Sequence, residues 1–253
     1  MSQLGLSLED AEELLADMDA EGVDWTVLVQ TSWSTWDNGY MADSVASYPN
    51  RFVGHGLINP QDPNNAEQVR YWIQNRGLVG FRLHPMYYPD EKILLTEQNG
   101  PLWEEIAACN AIVQFHLRPE YANQVAVIAQ RCPNTIFIGH APGFWAHISG
   151  DDRAFTDSYP RGKVKPGGRV PQMLRKYPNL FADLSAGSGL TAISRDRKFG
   201  KKFLTEFQNK LIFGRDNFNS LLMDYLKSLN LSKTAFEKIT YKNALKLLGE
   251  CAD

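Results

Sequence analysis

Residues 111–143 read AIVQFHLRPEYANQVAVIAQRCPNTIFIGHAPG, and the fold is decided on this stretch. It opens on a short apolar run, Ala111–Phe115, that ends at His116. A segment of helical period follows, Pro119–Arg131. Cys132-Pro133-Asn134 breaks it, and a second apolar run, Thr135–Ile138, leads to His140. Two nearly continuous apolar runs joined by an amphipathic segment form the pattern of parallel strands buried on both faces, with a helical crossover between them.

The same unit recurs on both sides. Strands are expected at Val23–Val29, Phe52–Ile58 and Leu78–Leu83 upstream, and at Leu180–Leu184 and Leu211–Phe213 downstream. Asn65–Asn75 and Gly168–Tyr177 repeat the helical period. Tyr48-Pro49-Asn50 and Tyr177-Pro178-Asn179 repeat the helix-to-strand joint, since proline disfavours helix in the residue before it and asparagine tolerates the turn. This alternation predicts an α/β fold with right-handed crossovers. The length of 253 residues fits one domain, a (β/α)8 TIM-type barrel, which typically takes about 250.

The count is one strand short. Seven strands are legible, and the chain opens on a helix, with Ser7 and Asp10 as a capping box and Gly22 as the stop. The expectation is therefore a barrel that lacks its first strand at the N-terminus, either because that strand precedes Met1 in a longer protein or because the barrel is incomplete. A missing strand leaves two unpaired edges that invite association, so a homo-oligomer is an open expectation. Residues 141–168, rich in glycine and proline, are long for a strand-to-helix loop and predict a lid.

Composition narrows the function classes. A net charge of −3 lacks the basic excess of a nucleic-acid-binding face. With 43% hydrophobic and 22% charged residues the chain is ordinary globular protein. Three widely spaced cysteines, Cys109, Cys132 and Cys251, make neither a disulfide framework nor a metal knot. No basic start with an apolar run appears in the first 30 residues, and no apolar stretch reaches membrane-spanning length. A cytoplasmic protein acting on a small molecule, with no membrane or nucleic-acid partner, is expected.

Three of the five histidines, His84, His116 and His140, end predicted strands, and Asp216 follows the last one in IFGRD. The carboxyl ends of parallel strands are where barrels gather catalytic groups. Imidazole and carboxylate are also the usual ligands of zinc and similar ions. Each of these residues also has a plain structural reading as a hydrogen-bonded strand end. His55 lies inside its strand and reads as structural, and His147 in the long loop reads as a possible lid residue. Asp183 in LFADLSAGSG is placed behind the site. Arg82 and Arg169 are candidates to grip a substrate carboxylate. Trp33 and Trp36 either wall a pocket or belong to the core.

In order along the chain, MDAEGVDWTVLV, ASYPNRFVGHGLINP, GLVGFRLHP, VQFHLRP, FIGHAPG, KYPNLFADLSAGS, KLIFGRDNF and YKNALKLLG resemble the amidohydrolase-related proteins, metal-dependent (β/α)8 barrels of the amidohydrolase superfamily. The resemblance implies that His116 is a metal ligand, that His140 lies beside the metal and handles protons, and that Asp216 binds the metal or its water and acts as base. His84 falls where members place varied substrate or metal contacts. The family's first-strand His-x-His is absent from this sequence. That absence fits either the missing strand or a relative that has lost its metal.

The expected function is a metal-dependent hydrolase of a small organic acid, amide or lactone. Asp216 and His140 are its catalytic residues, and His116 and Asp216 its metal ligands. His84, Arg82 and Arg169 bind substrate, and Asp183 supports the site. Zinc is the first choice of metal, with manganese or iron as alternatives and an empty site as the fallback. A decarboxylase (lyase) on the same scaffold and a non-catalytic barrel are the competing readings.

Overall fold

A computed structural model describes residues 8–31, 36–84, 94–116, 122–151, 156–216 and 219–249. Its strands are β1 (Thr26–Val29), β2 (Phe52–Leu57), β3 (Gly80–Leu83), β4 (Ile112–His116), β5 (Phe137–His140), β6 (Leu180–Asp183) and β7 (Leu211–Ile212). The strand order is the chain order, β1 to β7. Every pairing whose register is described is parallel. Helices α1 (Leu8–Glu21), α2 (Gly39–Ser47), α3 (Asn65–Arg70), α4 (Gly100–Ala108) and α5 (Ala122–Arg131) alternate with the first strands. They are followed by α6 (Ala141–Trp145), α7 (Arg169–Lys176), α8 (Ala186–Ser194), α9 (Arg197–Glu206), α10 (Leu221–Ser228), α11 (Lys233–Glu237) and α12 (Asn243–Leu247). This is the (β/α)-barrel class, with seven strands among the described residues. Ser7 of the expected capping box and Trp33 lie outside those residues.

Two compact units divide the chain, residues 1–114 and 115–253, and the boundary falls inside β4 rather than in a linker. In the first unit α1 places Ala11, Leu14, Leu15 and Met18 on one stripe, the spacing of an amphipathic helix. That stripe packs with Phe52 of β2. Gly22, at φ +67°, ends the helix where a side chain would be strained. Leu28 of β1 touches this cluster and a second one built on Met41, Ala42 and Leu78.

The three Pro-Asn joints are one turn used three times. The carbonyl before each proline accepts the N–H three residues on: Tyr48 from Arg51 at 2.9 Å, Cys132 from Thr135 at 3.1 Å, and Tyr177 from Leu180 at 3.2 Å. The turn consumes Thr135, so β5 starts at Phe137, two residues after the sequence suggests, and it runs on through His140. β7 is shorter than expected because Phe213 donates its N–H to Ile239 rather than to a strand.

In the second unit, polar side chains stitch these joints together. Asn179 donates from Nδ2 to the carbonyls of Ala129, Cys132 and Thr135, each at 3.0 Å. Lys210 Nζ donates to Tyr177, Pro178 and Leu180 at 2.8, 2.7 and 3.1 Å. Asn243 Nδ2 donates to Gln208 and Leu211 at 2.8 and 2.7 Å. Arg51 makes the corresponding link in the first unit, to the carbonyls of Val23 and Asp24. Buried carbonyls at the strand starts are thus satisfied by the element that follows. Burial pulls Lys210 down to about 8.

The first third of the expected lid at 141–168 is buried helix and turn. His140 runs directly into α6 and a 3-10 turn, Ala146–Ile148, and residues 143–149 are buried. Trp145 is 1% exposed, and His147, the candidate lid histidine, is 3% exposed. Further on, Gly150 N–H bonds Lys165 O at 2.9 Å and Lys165 N–H bonds Ser149 Oγ at 2.9 Å, which closes the base of the loop. Residues 152–155 at its far side lie outside the described set.

Candidate active site

His140 ends β5 and is 3% exposed. Its position depends on the residues flanking it. A Cβ on Gly139 would stand 2.4 Å from the Phe144 ring, so glycine there admits an aromatic of α6 against the strand. Ala141 follows at φ +69°, a left-handed conformation that L-residues adopt only at a cost. The backbone turns sharply from strand to helix and leaves the imidazole at the strand end.

Nδ1 of His140 lies 3.0 Å from Oδ2 of Asp183 and 3.3 Å from Oγ of Ser185. An ionised carboxylate only accepts hydrogen bonds, so Nδ1 carries the proton and, in the neutral ring, Nε2 holds the lone pair. Nε2 has no hydrogen-bond partner among the described residues. The His116 ring stands edge-on to it, with centroids 5.5 Å apart and planes at 72°.

Asp183, at the end of β6, is 8% exposed. Its Oδ1 accepts the Ser185 N–H at 2.6 Å, and its main-chain carbonyl accepts Trp145 Nε1–H at 2.8 Å. Burial works to raise its pKa. The positive form of His140 and the hydrogen bonds from His140 and Ser185 outweigh that and hold the carboxyl below its usual range. Ser185 precedes α8 in the cap position, yet makes no side-chain cap hydrogen bond and has its hydroxyl beside His140 instead. Ala186 comes next at φ +64°. A Cβ on Gly214 would lie 3.1 Å from Ser185 Cβ and 3.9 Å from Asp183 Oδ1, so the chain leaving β7 passes close against this pair.

The other residues expected from sequence fall as follows. His116 ends β4, half-buried, beside His140. Asp216 follows β7 by four residues and is exposed, with no ion pair or hydrogen bond among the described residues. β7 ends early, and the chain has reached the surface by Asp216. Arg82 and His84, both buried, belong to β3 and its exit in the first unit. Arg169 starts α7 and donates to Asn123 Oδ1 at 3.1 Å, tying α7 to α5. His55 is buried within β2, in register with Gly80. Trp36 is half-buried. Sequence reading did not single out Ser185 or Trp145. For Ser185 the signal was present, a serine just before the Ala-Gly-Ser-Gly run that opens α8.

As a metal site this donor set is incomplete. Among the described residues no three His, Cys, Asp or Glu side chains come together to hold an ion, and three protein ligands are usual for zinc. The chemistry proposed for this chain therefore rests on His140 and Asp183.

Comparison with known proteins places this geometry in context. Nothing among curated sequences matches the chain. Solved structures do. A provisional 2-pyrone-4,6-dicarboxylic acid hydrolase from Pseudomonas putida aligns with a TM-score of 0.72 at 17% identity, over 96% of this chain and 88% of that one. Its counterpart from Acinetobacter baumannii, with citric acid bound, gives 0.69 at 18%, over 94% and 88%. The 5-carboxyvanillate decarboxylase of Novosphingobium aromaticivorans, in complex with manganese and a nitrobenzoic acid, gives 0.66 at 18%, over 94% and 79%. At these identities the likeness shows the barrel fold. The family model for amidohydrolases matches residues 6–249, and the chain belongs to that family.

Proposed function

We propose that the protein is a hydrolase of a small carboxylic acid ester or lactone, with His140 as its acid–base group. The observation that carries this reading is the buried His140–Asp183 pair, 3.0 Å apart at the ends of adjacent strands. Asp183 holds Nδ1–H, so the Nε2 lone pair is available to take a proton from water as it attacks the substrate carbonyl. The imidazolium formed is stabilised by the Asp183 carboxylate and returns its proton to the leaving oxygen. Ser185 fixes Asp183 from one side and Trp145 anchors its backbone from the other. Asp216, exposed beyond β7, is assigned to the rim of the site, where it contacts substrate or solvent. Arg82 and His84 are kept as substrate contacts, and Arg169 is assigned to structure through Asn123.

Decarboxylation is the second reading, favoured by the same pair in its protonated form. A C–C bond breaks, carbon dioxide leaves, and Nε2–H supplies the proton to the carbanion. The two readings need opposite protonation states of His140. Hydrolysis uses the neutral ring as a base and decarboxylation uses the protonated ring as an acid. The test is 2-pyrone-4,6-dicarboxylate, followed by loss of ring absorbance, beside 5-carboxyvanillate, followed by carbon dioxide release. Ring opening that His140→Gln abolishes supports the hydrolase. Carbon dioxide release supports the lyase, and turnover of either probe that His140→Gln leaves intact contradicts both.

A further inference from the structure

Charge is distributed very unevenly along this chain. Before Arg51 there are ten acidic residues and no lysine, arginine or histidine. Residues 195–246 hold twelve of the 26 lysines and arginines against five acids. Both extremes are concentrated on helix surfaces. Helix α1 buries Ala11 and Met18 and exposes Glu12, Glu13, Ala16, Asp19 and Ala20. Helix α9 buries Gly200, Phe203 and Leu204, and its outer face, with Leu229, lines an open groove of about 820 Å³. Arg197, Lys198, Lys201 and Lys202 border that groove.

The three lysines are exposed, and none of their ammonium groups makes an ion pair or hydrogen bond among the described residues. Lys198 lies three and four residues from Lys201 and Lys202, spacings at which like charges on a helix repel. A helix that exposes carboxylates between alanines is the complementary surface: its charges neutralise the lysines and its small residues allow close approach. Helix α1 is such a helix, and the chain carries it.

We propose that the α9 groove is an interaction surface for α1 of a second copy of this chain. A free polyanion fits less well, because the net charge of −3 and the acidic first fifty residues oppose its approach.

Sedimentation velocity of the 253-residue chain tests this. Self-association is expected at low ionic strength and is expected to weaken toward about 0.5 M salt, where exposed charges are screened within a few ångströms. This arm needs no variant. The triple substitution Lys198→Glu, Lys201→Glu, Lys202→Glu and the double substitution Glu12→Lys, Glu13→Lys should each weaken association by roughly ten- to a hundredfold, the sum of several exposed pairs. Mixing the two variants should restore it, with thermal unfolding reporting that each is folded. A monomer under all conditions would overturn the proposal. So would association indifferent to salt and to charge reversal. Retention on heparin that depends on Lys198, Lys201 and Lys202, without self-association, would overturn it in favour of a polyanionic partner.

Discussion

At the N-terminal ends of β5, β6 and β7, Asn179, Lys210 and Asn243 direct eight hydrogen bonds at main-chain carbonyls of the preceding joint. At the C-terminal ends of β5 and β6 the polar groups bond one another instead, His140 to Asp183 and Asp183 to Ser185. Two alanines there, Ala141 and Ala186, hold left-handed backbone. The first end uses polar side chains to satisfy buried backbone. The second spends stability to hold an ionisable pair in place. Strain and buried charge collect where a barrel does its chemistry, and satisfied backbone collects where it does not.

If that contrast is right, substitutions at the two ends separate activity from stability. The largest effect is expected from His140→Gln, which removes the acid–base group: activity should fall roughly 10²–10⁴-fold, with circular dichroism unchanged. Next comes Asp183. Its folded pKa is depressed, so its contribution to stability is complete above the unfolded value of about 3.9 and is lost as pH falls through the folded value. Unfolding free energy measured across acid pH should therefore show a limb that Asp183→Asn makes shallower; an unchanged limb would detach Asp183 from the fold's acid sensitivity. Asn179→Ala should act at the opposite end. It strands three carbonyls and should lower stability by about 1–3 kcal/mol while kcat stays near wild type; a matching loss of kcat would erase the contrast. The smallest effect is expected from Ala186→Gly, about 0.5–1 kcal/mol more stable in denaturant unfolding because glycine accepts φ +64° freely. A destabilised variant would show that Ala186 is unstrained.

Much of this was legible in the sequence where the information is local. The seven strands, the amphipathic stripe of α1 and the recurrent Pro-Asn turn each rest on neighbours within a few residues. So did the placement of His116, His140 and Asp183, because the end of an apolar run marks the end of a strand. What escaped depends on contacts distant in sequence. Trp145 reaches a carbonyl 38 residues away, and Asn179 reaches carbonyls 44 to 50 residues away. Neither partner is visible in a linear pattern. The helix at the start of the long loop is not legible, because buried helix and loop share the same apolar, glycine-containing composition between His140 and Gly150. The end of β7 is not local either: the Phe213 N–H that would extend it bonds Ile239, 26 residues on.

The central claim is that Asp183 fixes the His140 ring with its proton on Nδ1. Nitrogen-15 NMR of histidine-labelled protein measures this without a substrate, at a pH where the ring is neutral. The account predicts a protonated Nδ1 and an unprotonated Nε2 for His140, with that preference lost in Asp183→Asn. A proton on Nε2 in the unsubstituted protein, leaving no lone pair to receive one from water, would contradict it.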